Sequence, residues 1–506
     1  MRHIPLLSAM LLIPVGIGLM SIFPTIGAVL TGVAIITSAG TSYEFFQTRS
    51  SASDSLRIQL KVLYLLECIG RELRQYFTES DHIQHPCTPE QRALAYRCAR
   101  NAEGFHPFGT PVNALYNANE WLNHSNHPIH VDNADFRIRI GGDTCEKPYE
   151  SSVLNVSSMP IGALSRTAIK ALNRGVRMGG FAQGTGDGLI SEFHELPGGD
   201  LILQLESDCV GYRDDFGKFD PNNFAKHATK EQVKMVEIKL SQGDKPDFAA
   251  ERGLPEGIDY INPASHSTID TPVELINFID QIRALSGGKP VGIKLSISQP
   301  SDFFSIAKAM CERNILPDFF TIDDTDCRDE DATLESVDPM DTPLREGLML
   351  VHNTLHGLGI REKIKILIAG DLINAFDLAR AFSLGADGCL MARGFIETLG
   401  TDDAATSIDS EPDEPLTNDK QHLDVAKFHA NTLKELAKAL SMAGLNHPSE
   451  LAAHHLMLRI DNQELRSAAN QYHWLEPGAL LTDDQTHPTF QQFWGLSDSD
   501  SFSRAA

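Results

Sequence analysis

The chain has 506 residues, of which 43 are Lys or Arg and 68 are Asp or Glu, so its formal charge at pH 7 is −25. This length predicts two domains, or one large barrel with an appendage. The negative charge argues against nucleic-acid partners, because phosphate backbones attract Lys- and Arg-rich surfaces. The eight cysteines form no CxxC pair and the scattered histidines fit no compact ligand set, so no metal site is predicted and a reducing compartment is expected.

The first feature along the chain is a stretch without any charged residue, from Ile4 to Tyr43. A membrane-spanning helix needs about 20 apolar residues, so we predict two transmembrane helices in residues 1–43, with residues 4–43 in contact with the lipid bilayer. One span plus an interfacial segment is the alternative. A signal peptide fits less well, because its apolar core is only about 7–15 residues long. Arg2 before the pair and Arg49 after it predict cytoplasmic ends, as in a bacterial inner-membrane protein with a cytoplasmic soluble domain.

Residues 44–150 are predicted to form a mostly helical leader. Apolar residues recur at helical spacing from Ser55 to Phe77, and Thr88-Pro89 has the composition of a helix start. The run FRIRIGG (Phe136–Gly142) predicts a short strand followed by a turn.

From about Val153 the pattern changes to short apolar runs that alternate with helical stretches. This alternation predicts a parallel sheet closed into a (β/α)8 TIM barrel at residues 151–446, with an open doubly wound sheet as the alternative. The acidic stretch Thr401–Asp424 is predicted to be a solvated or disordered loop, and a C-terminal extension follows at 447–506. Five of the predicted strands are Val233–Leu240, Pro290–Ile297, Asp318–Asp323, Ile364–Gly370 and Asp387–Gly394.

Long collinear segments resemble the membrane-anchored, FMN-binding glutamate synthase domain proteins. They include RELRQYFTESD and FRIRIGGDTCEKPYESSVLN in the leader, and MPIGALSRTAIKALNRG, PGGDLILQL, VKMVEIKLSQGDKP, SGGKPVGIKL and LGADGCLMARGF in the barrel. The resemblance implies a barrel that binds FMN and a small-molecule substrate and forms glutamate from 2-oxoglutarate. It also implies an electron-donor or ammonia-supplying partner.

The resemblance further implies where the site lies. Lys294 matches a family lysine that faces the flavin and the substrate, and Lys239 ends a neighbouring strand in the same way. The alternative for Lys294 is a structural salt bridge with Glu237 or with a loop acid, because a buried lysine needs a partner. Plain turns, with Ser165 as a helix cap in the first, are the alternatives for the segments Gly162–Ser165 and Thr185–Gly188. The residues implied to hold FMN are Gly162, Ala163, Ser165, Thr185, Gly186, Gly370, Ala392, Arg393 and Gly394.

Three departures from the family pattern fall at the site. DDTDCRDED at Asp323–Asp331 replaces a glycine-rich phosphate loop of the form DGxEGGTGAAP, which puts carboxylates where bare amides would face a phosphate. The run DFAA at Asp247–Ala250 replaces a glycine-rich turn. No cysteine follows Cys389, although iron–sulfur ligation needs thiolates.

These departures predict a divergent family member. We expect no iron–sulfur cluster, weak or absent FMN binding, and reduced or lost synthase turnover. The alternative function is that of a non-catalytic, membrane-tethered barrel that acts as a scaffold or small-molecule sensor.

Overall fold

The structure is a computed structural model that describes residues 94–95, 97–99, 120–142, 145–159, 164–186, 190–206, 209, 211–214, 218–240, 269–297, 299–323, 342–370, 372–399, 421–461, 463–482 and 487–502. The predicted transmembrane helices, the predicted leader helices up to residue 93, the run Asp324–Asp331 and the turn Asp247–Ala250 lie outside these residues. Within them, no helix combines the length and apolar character that a membrane crossing requires.

Eight parallel strands close into a barrel, which confirms the predicted fold and excludes the open sheet. The strands follow one another around the barrel in chain order, and the last one pairs with the first. Each is a short run of buried residues, because helices cover the outside of a parallel barrel and side chains fill its interior. The barrel strands are β4 (Leu154–Val156), β5 (Ala182–Gly184), β6 (Asp200–Leu205), β7 (Val233–Lys239), β8 (Val291–Leu295), β9 (Phe319–Asp323), β10 (Lys365–Gly370) and β11 (Gly388–Met391).

The helices of the barrel begin at ordinary capping signals. Thr271 and Glu274 form a capping box at the start of one helix, and Asn374 and Asp377 do so at another. The helices are α1 (Arg166–Gly179), α2 (Glu192–Glu195), α3 (Pro221–Ala228), α4 (Pro272–Leu285), α5 (Pro300–Arg313), α6 (Leu344–Gly357), α7 (Ala375–Ser383), α8 (Arg393–Leu399), α9 (Gln421–Ala443), α10 (Ala468–Gln471) and α11 (Pro488–Phe493), with 3₁₀ turns at Arg361–Lys363, Pro448–Glu450, Ala479–Leu481 and Trp494–Leu496.

Helix α9 begins earlier than its sequence suggests. The loop prediction for Thr401–Asp424 is wrong for its last four residues, because α9 starts at Gln421. Gln421, His422 and Val425 are buried there, so this acidic stretch ends on an internal helix face.

Short strands outside the barrel connect the segment before it with the C-terminal extension. They are β1 (Glu120–Leu122), β2 (Arg137–Ile140), β3 (Tyr149–Ser152), β12 (Leu456–Arg459) and β13 (Leu465–Ser467). β1 pairs with β12, which pairs with β13, and β2 pairs with β3. The strand predicted at Phe136–Gly142 is therefore present as β2. Of the predicted helical leader, residues 44–150, the described residues 94–95 and 97–99 are helical, whereas the described residues between 120 and 150 contain the short strands β1 and β2 and the start of β3, joined by irregular segments, rather than helices.

Polar groups at the N-terminal end of the barrel are well satisfied. Asp318, which directly precedes β9, accepts hydrogen bonds from the amides of Gly142 and Val291 at 2.8 and 2.9 Å. It also accepts two from Arg283, at 3.3 and 3.0 Å. A buried carboxylate with this many donors anchors structure, so this end of the barrel serves stability.

Candidate active site at the barrel mouth

Five ionisable side chains meet where the barrel strands end at their C-terminal side. We call this set, Glu206, Glu237, Lys239, Lys294 and Asp323, the mouth cluster. Its members lie on strands β7, β8 and β9 and at the residue that follows β6. Glu237 is completely buried, and Lys294, Glu206 and Asp323 are 3%, 5% and 8% exposed. In barrels of this architecture, this end carries the chemistry.

The register of the strands explains how the mouth cluster assembles. Glu237 and Lys239 are two residues apart on β7, so they share one face of the strand. Lys239 is aligned with Lys294 on β8, and Lys294 is aligned with Thr321 on β9. The hydroxyl of Thr321 donates to Oε2 of Glu237 at 2.5 Å, although β8 separates the two strands. That contact therefore crosses the barrel interior.

Both lysines of the mouth cluster are paired with acids. Lys294 Nζ lies 3.1 Å from Oδ2 of Asp323, and Lys239 Nζ lies 3.6 Å from Oε1 of Glu206. Asp323 opens the acidic run Asp323–Asp331, so the alternative predicted for Lys294, a bridge to a loop acid, is present in the structure. Within the mouth cluster, a lysine can offer its charge to a ligand only if its ion pair with Glu206 or Asp323 opens.

Glu237 is the least solvated member of the mouth cluster. Burial raises the pKa of the Glu237 carboxyl above its ordinary value, while Lys294 and the hydrogen bond from Thr321 lower it and Asp323 raises it further. A group in this environment keeps its proton to a higher pH than an exposed glutamate does. When protonated, its second oxygen can present an O–H donor to a ligand.

Several polar atoms near the strand ends are buried without a hydrogen-bond partner among the described residues. They are Ser158 Oγ, Glu237 Oε1, Ser296 Oγ and Asp323 Oδ1. Two of these residues lie within β7 and β9, and the two serines follow β4 and β8 closely. An unsatisfied buried polar atom costs about 1–3 kcal/mol, so a set of them at one end of a barrel indicates where a polar ligand would bond.

Among the residues implied to hold FMN, those after β4 have a structural role where they are described. Ser165 caps α1 by accepting a hydrogen bond from the Ala168 amide at 3.2 Å, as the plain-turn alternative predicted. Gly162 and Ala163 lie outside the described residues.

The residues after β5 are also explained by local structure. Thr185 Oγ1 accepts from the Gln204 amide at 3.1 Å. Gly186 has a φ of +73°, and a Cβ at that position would lie 1.8 Å from the Met159 carbonyl oxygen. Any other residue at Gly186 would be strained and would collide with the backbone after β4. This turn is therefore held by packing, with or without a cofactor.

The ends of β10 and β11 provide the remaining implied residues. Gly370 ends β10, and Ala392 joins β11 to α8, which begins at Arg393. The absent side chain of Gly394 leaves room for Met391 and Phe428, since a Cβ there would lie 2.4 Å from Met391 Sδ and 2.8 Å from the Phe428 ring. The first-turn amides of α8 and the half-buried Arg393 are the groups here that suit an anion.

The mouth fits a ligand with a polar ring and an anionic tail. The unpartnered polar atoms of Ser158, Ser296 and Glu237 can form hydrogen bonds with ring heteroatoms. Arg393, after the end of β11, can form an ion pair with a phosphate. These are the features that FMN requires. The paired state of Lys294 opposes it, because the flavin would have to compete with Asp323 for that ammonium group.

Sequence reasoning singled out both lysines but missed Glu206, the partner of Lys239, and Gln204 beside it. Gln204 Nε2 donates to Glu206 in the structure. A signal was present: DLILQLES places Gln and Glu at alternating positions of an otherwise apolar strand, which marks one polar face.

Together, a closed barrel of eight parallel strands and an ionisable cluster at its C-terminal mouth define a (β/α)8 barrel protein with a candidate active site. The family model for a conserved region in glutamate synthase matches residues 110–405. The chain belongs to the glutamate synthase family.

Individual relatives agree with this assignment. The glutamate synthase large subunit-like protein YerD of Bacillus subtilis (strain 168) is 26% identical over 473 residues, which cover 81% of this chain and 90% of that protein. An archaeal-type glutamate synthase [NADPH] of Thermotoga neapolitana is 27% identical over 259 residues, which cover 48% of each chain. A crystal structure of mandelate oxidase covers 69% of this chain and 87% of its own, with 15% identity and a TM-score of 0.43, too low to support an argument.

Proposed function

We propose that this protein is a glutamate synthase-type oxidoreductase barrel that binds FMN weakly at its mouth and has reduced synthase turnover. The observation that carries the proposal is the buried Lys294, which occupies the end of β8 but is bound 3.1 Å from Asp323. Family membership supports the type of chemistry. The ion pair neutralises Lys294, so the lysine attracts an anionic substrate or a reduced flavin less strongly. Because the family pattern DGxEGGTGAAP also begins with Asp, the reduction relative to the family rests on the sequence departures that follow Asp323.

Each residue of the mouth would have a definite task in such a site. Lys294 would face the flavin ring, and Arg393 with the first turn of α8 would hold the phosphate. FMN, when bound, supplies two-electron redox chemistry. Glu237 would hold a proton in the barrel interior, and Lys239 would keep the Glu206 carboxylate turned away from the ligand through their ion pair.

Features beyond the described structure support the same proposal from sequence. The acidic run after Asp323 replaces the family's phosphate loop, and the DFAA turn replaces its active-site loop. The cysteines that serve electron transfer in the family are missing after Cys389. We propose that no iron–sulfur cluster is bound and that electrons and ammonia, if used, come from partner proteins. Membrane attachment through residues 4–43 and a cytoplasmic barrel are proposed from the charge pattern of the N-terminus.

A second candidate is a non-catalytic barrel that binds a small molecule. The specific observation in its favour is that both mouth lysines are paired with acids, which leaves the five-residue cluster without a free cation for 2-oxoglutarate. In this case the unpartnered polar atoms would bind a neutral ligand without turnover.

The flavin content separates the two candidates. The full chain is purified in detergent, and its flavin absorbance and FMN stoichiometry are measured before and after incubation with FMN. Bound FMN, together with slow glutamate formation from 2-oxoglutarate and ammonium with a chemical reductant, is the expected result. A colourless protein that takes up no added FMN would contradict the oxidoreductase proposal and favour the second candidate.

A further inference from the structure

A groove with a volume of about 680 Å³ lies on the outer face of α1, away from the mouth. Its walls are α1, the turn at Leu196–Pro197 and the first residues of α9. Met178 lies near the end of α1, shortly before β5 begins, so the groove lies toward the N-terminal end of the barrel. We call it the basic groove, because Lys170, Arg174 and Arg177 line it.

The three cations of the basic groove form one stripe along α1. Their spacing of four and three residues places them on one helix face. Among the described residues none of them forms an ion pair with a carboxylate. Arg177 Nη1 donates to the Pro197 carbonyl at 3.0 Å, and Lys170 Nζ lies 4.9 Å from the centroid of the Phe193 ring. Like charges at this spacing destabilise a helix by about 0.2–0.5 kcal/mol per pair, and the described contacts offer no anion in return.

An apolar surface lies beside this stripe. Met178 is 53% exposed and Leu196 is 69% exposed, and both line the groove together with Pro197. Two large exposed hydrophobic side chains next to three cations make one amphipathic concave surface. A ligand that matches it must carry an anionic group and an apolar body.

We propose that the basic groove binds a phosphorylated small molecule with an aromatic ring, of the size and chemistry of a nucleoside monophosphate. The volume falls within the range of about 300–1,000 Å³ that small-molecule sites occupy. Guanidinium groups such as those of Arg174 and Arg177 match phosphate oxygens with paired hydrogen bonds. The ring would lie against Met178 and Leu196. In a chain of net charge −25, such a site concentrates an anion that the rest of the surface repels.

The test is calorimetric titration of the full-length protein in detergent with AMP at low salt, with adenosine and inorganic phosphate as partial ligands. The groove variant is K170Q/R174Q/R177Q. Its matched control is R313Q/K363Q/K434Q, which removes three exposed cations elsewhere and changes the net charge equally. We expect AMP to bind the wild type and the control alike, and to bind the groove variant at least tenfold more weakly. R174E alone, which leaves the Arg177 contact with Pro197 intact, should also weaken AMP binding.

The barrel mouth is the alternative binding site for AMP, and the variant K294Q tests that site in parallel. AMP binding that survives K294Q and is lost in the groove variant supports the proposal. Absence of AMP binding to the wild type, equal losses in the groove variant and its control, loss of binding in K294Q alone, or adenosine binding as tightly as AMP would each overturn it.

Discussion

Lys294 Nζ lies 3.1 Å from Asp323 Oδ2, and both side chains are nearly inaccessible to solvent. In the strand register, Lys294 is aligned with Thr321, so Asp323 is the next residue of β9 on the same face. The pair thus joins the ends of two neighbouring barrel strands. Asp323 opens the acidic run at the position where the family pattern DGxEGGTGAAP also has Asp, so the acids that depart from the family begin one residue after the partner of the mouth lysine.

Replacing Asp323 by Asn should increase the affinity for FMN. The substitution removes the competing charge from Lys294 while keeping the size of the side chain. We expect about a tenfold lower Kd, equivalent to ~1.4 kcal/mol. The Kd is measured from the quenching of FMN fluorescence on binding.

The control for this substitution is D500N, which removes an exposed acid near the C-terminus. It should leave the FMN affinity unchanged. The D323N protein should also unfold more easily, because Lys294 loses its partner in a buried setting. An unchanged or weaker FMN affinity in a folded D323N protein would show that the ion pair does not limit flavin binding.

Replacing Glu237 by Gln should change how stability depends on pH. Burial raises the pKa of Glu237 in the folded state above its unfolded value, so the folded state retains this proton where the unfolded state releases it. Its stabilising contribution is complete below the unfolded pKa and is lost as the pH rises through the folded pKa. Gln cannot ionise, so E237Q should gain stability relative to the wild type as the pH is raised.

Urea unfolding at pH 5, 7 and 9 measures this difference. The exposed E362Q serves as the control and should follow the wild type at each pH. A stability difference between E237Q and the wild type that stays constant from pH 5 to pH 9 would mean that Glu237 is ionised in the folded state throughout this range.

The sequence predicted the barrel well because its strands are buried on both sides. Runs such as Val233–Leu240 and Ile364–Gly370 are almost continuously apolar, and the structure places β7 and β10 within them. Strand existence therefore follows from local pattern. The two candidate lysines were singled out through the family resemblance, and their place at strand ends agrees with that choice.

The partners of these lysines could not be chosen from sequence. Glu206 pairs with Lys239, and Asp323 with Lys294, across strands that only the barrel register brings together. The sequence left Glu237 and a loop acid as alternative partners for Lys294. In the structure Lys294 forms its ion pair with Asp323, and its charge also lowers the pKa of the buried Glu237.

The C-terminal extension shows another limit of local pattern. The chain after Asp483 is polar, yet Phe490 is completely buried and its ring stacks on Phe304, with centroids 4.7 Å apart. Trp494 packs against the same ring. Isolated aromatic residues in a polar stretch carry no periodicity, so their packing on α5 was not predicted.

A buried histidine should make stability fall on mild acidification. Burial lowers the pKa of His194 to about 4, and its Nδ1 is hydrogen-bonded to Ser191 at 2.8 Å. The unfolded state takes up a proton near pH 6.5 while the folded state does not, so stability decreases as the pH falls from about 6.5 toward 4. Between pH 7 and pH 5 this one group should cost the wild type about 2 kcal/mol of unfolding free energy.

H194N keeps a polar atom near the position of Nδ1 and removes the titration. Denaturant unfolding at the two pH values should show a drop about 2 kcal/mol smaller than in the wild type. H124N, at an exposed position, should show the full drop. An H194N protein with the same drop as the wild type would mean that His194 is accessible to protons in the folded state.

Gly292 allows an aromatic ring to fill the barrel below the mouth. It is aligned with Phe319 on the neighbouring strand, and a Cβ at Gly292 would lie 2.4 Å from that ring. The ring is completely buried, so it has little room to withdraw. G292A should therefore destabilise the protein by about 1–3 kcal/mol through overpacking. It should also weaken FMN binding, since Lys294 lies two residues further along β8.

The double variant G292A/F319L tests the cause. Leucine vacates the space that the new methyl group needs, so the double variant should be more stable than the sum of the two single changes predicts. G495A, where a Cβ would have no neighbour within 4 Å, should be nearly neutral in the same unfolding assay. Strict additivity of G292A and F319L would mean that the two positions do not compete for space, and that β8 and β9 adjust independently beneath the lysine–aspartate pair.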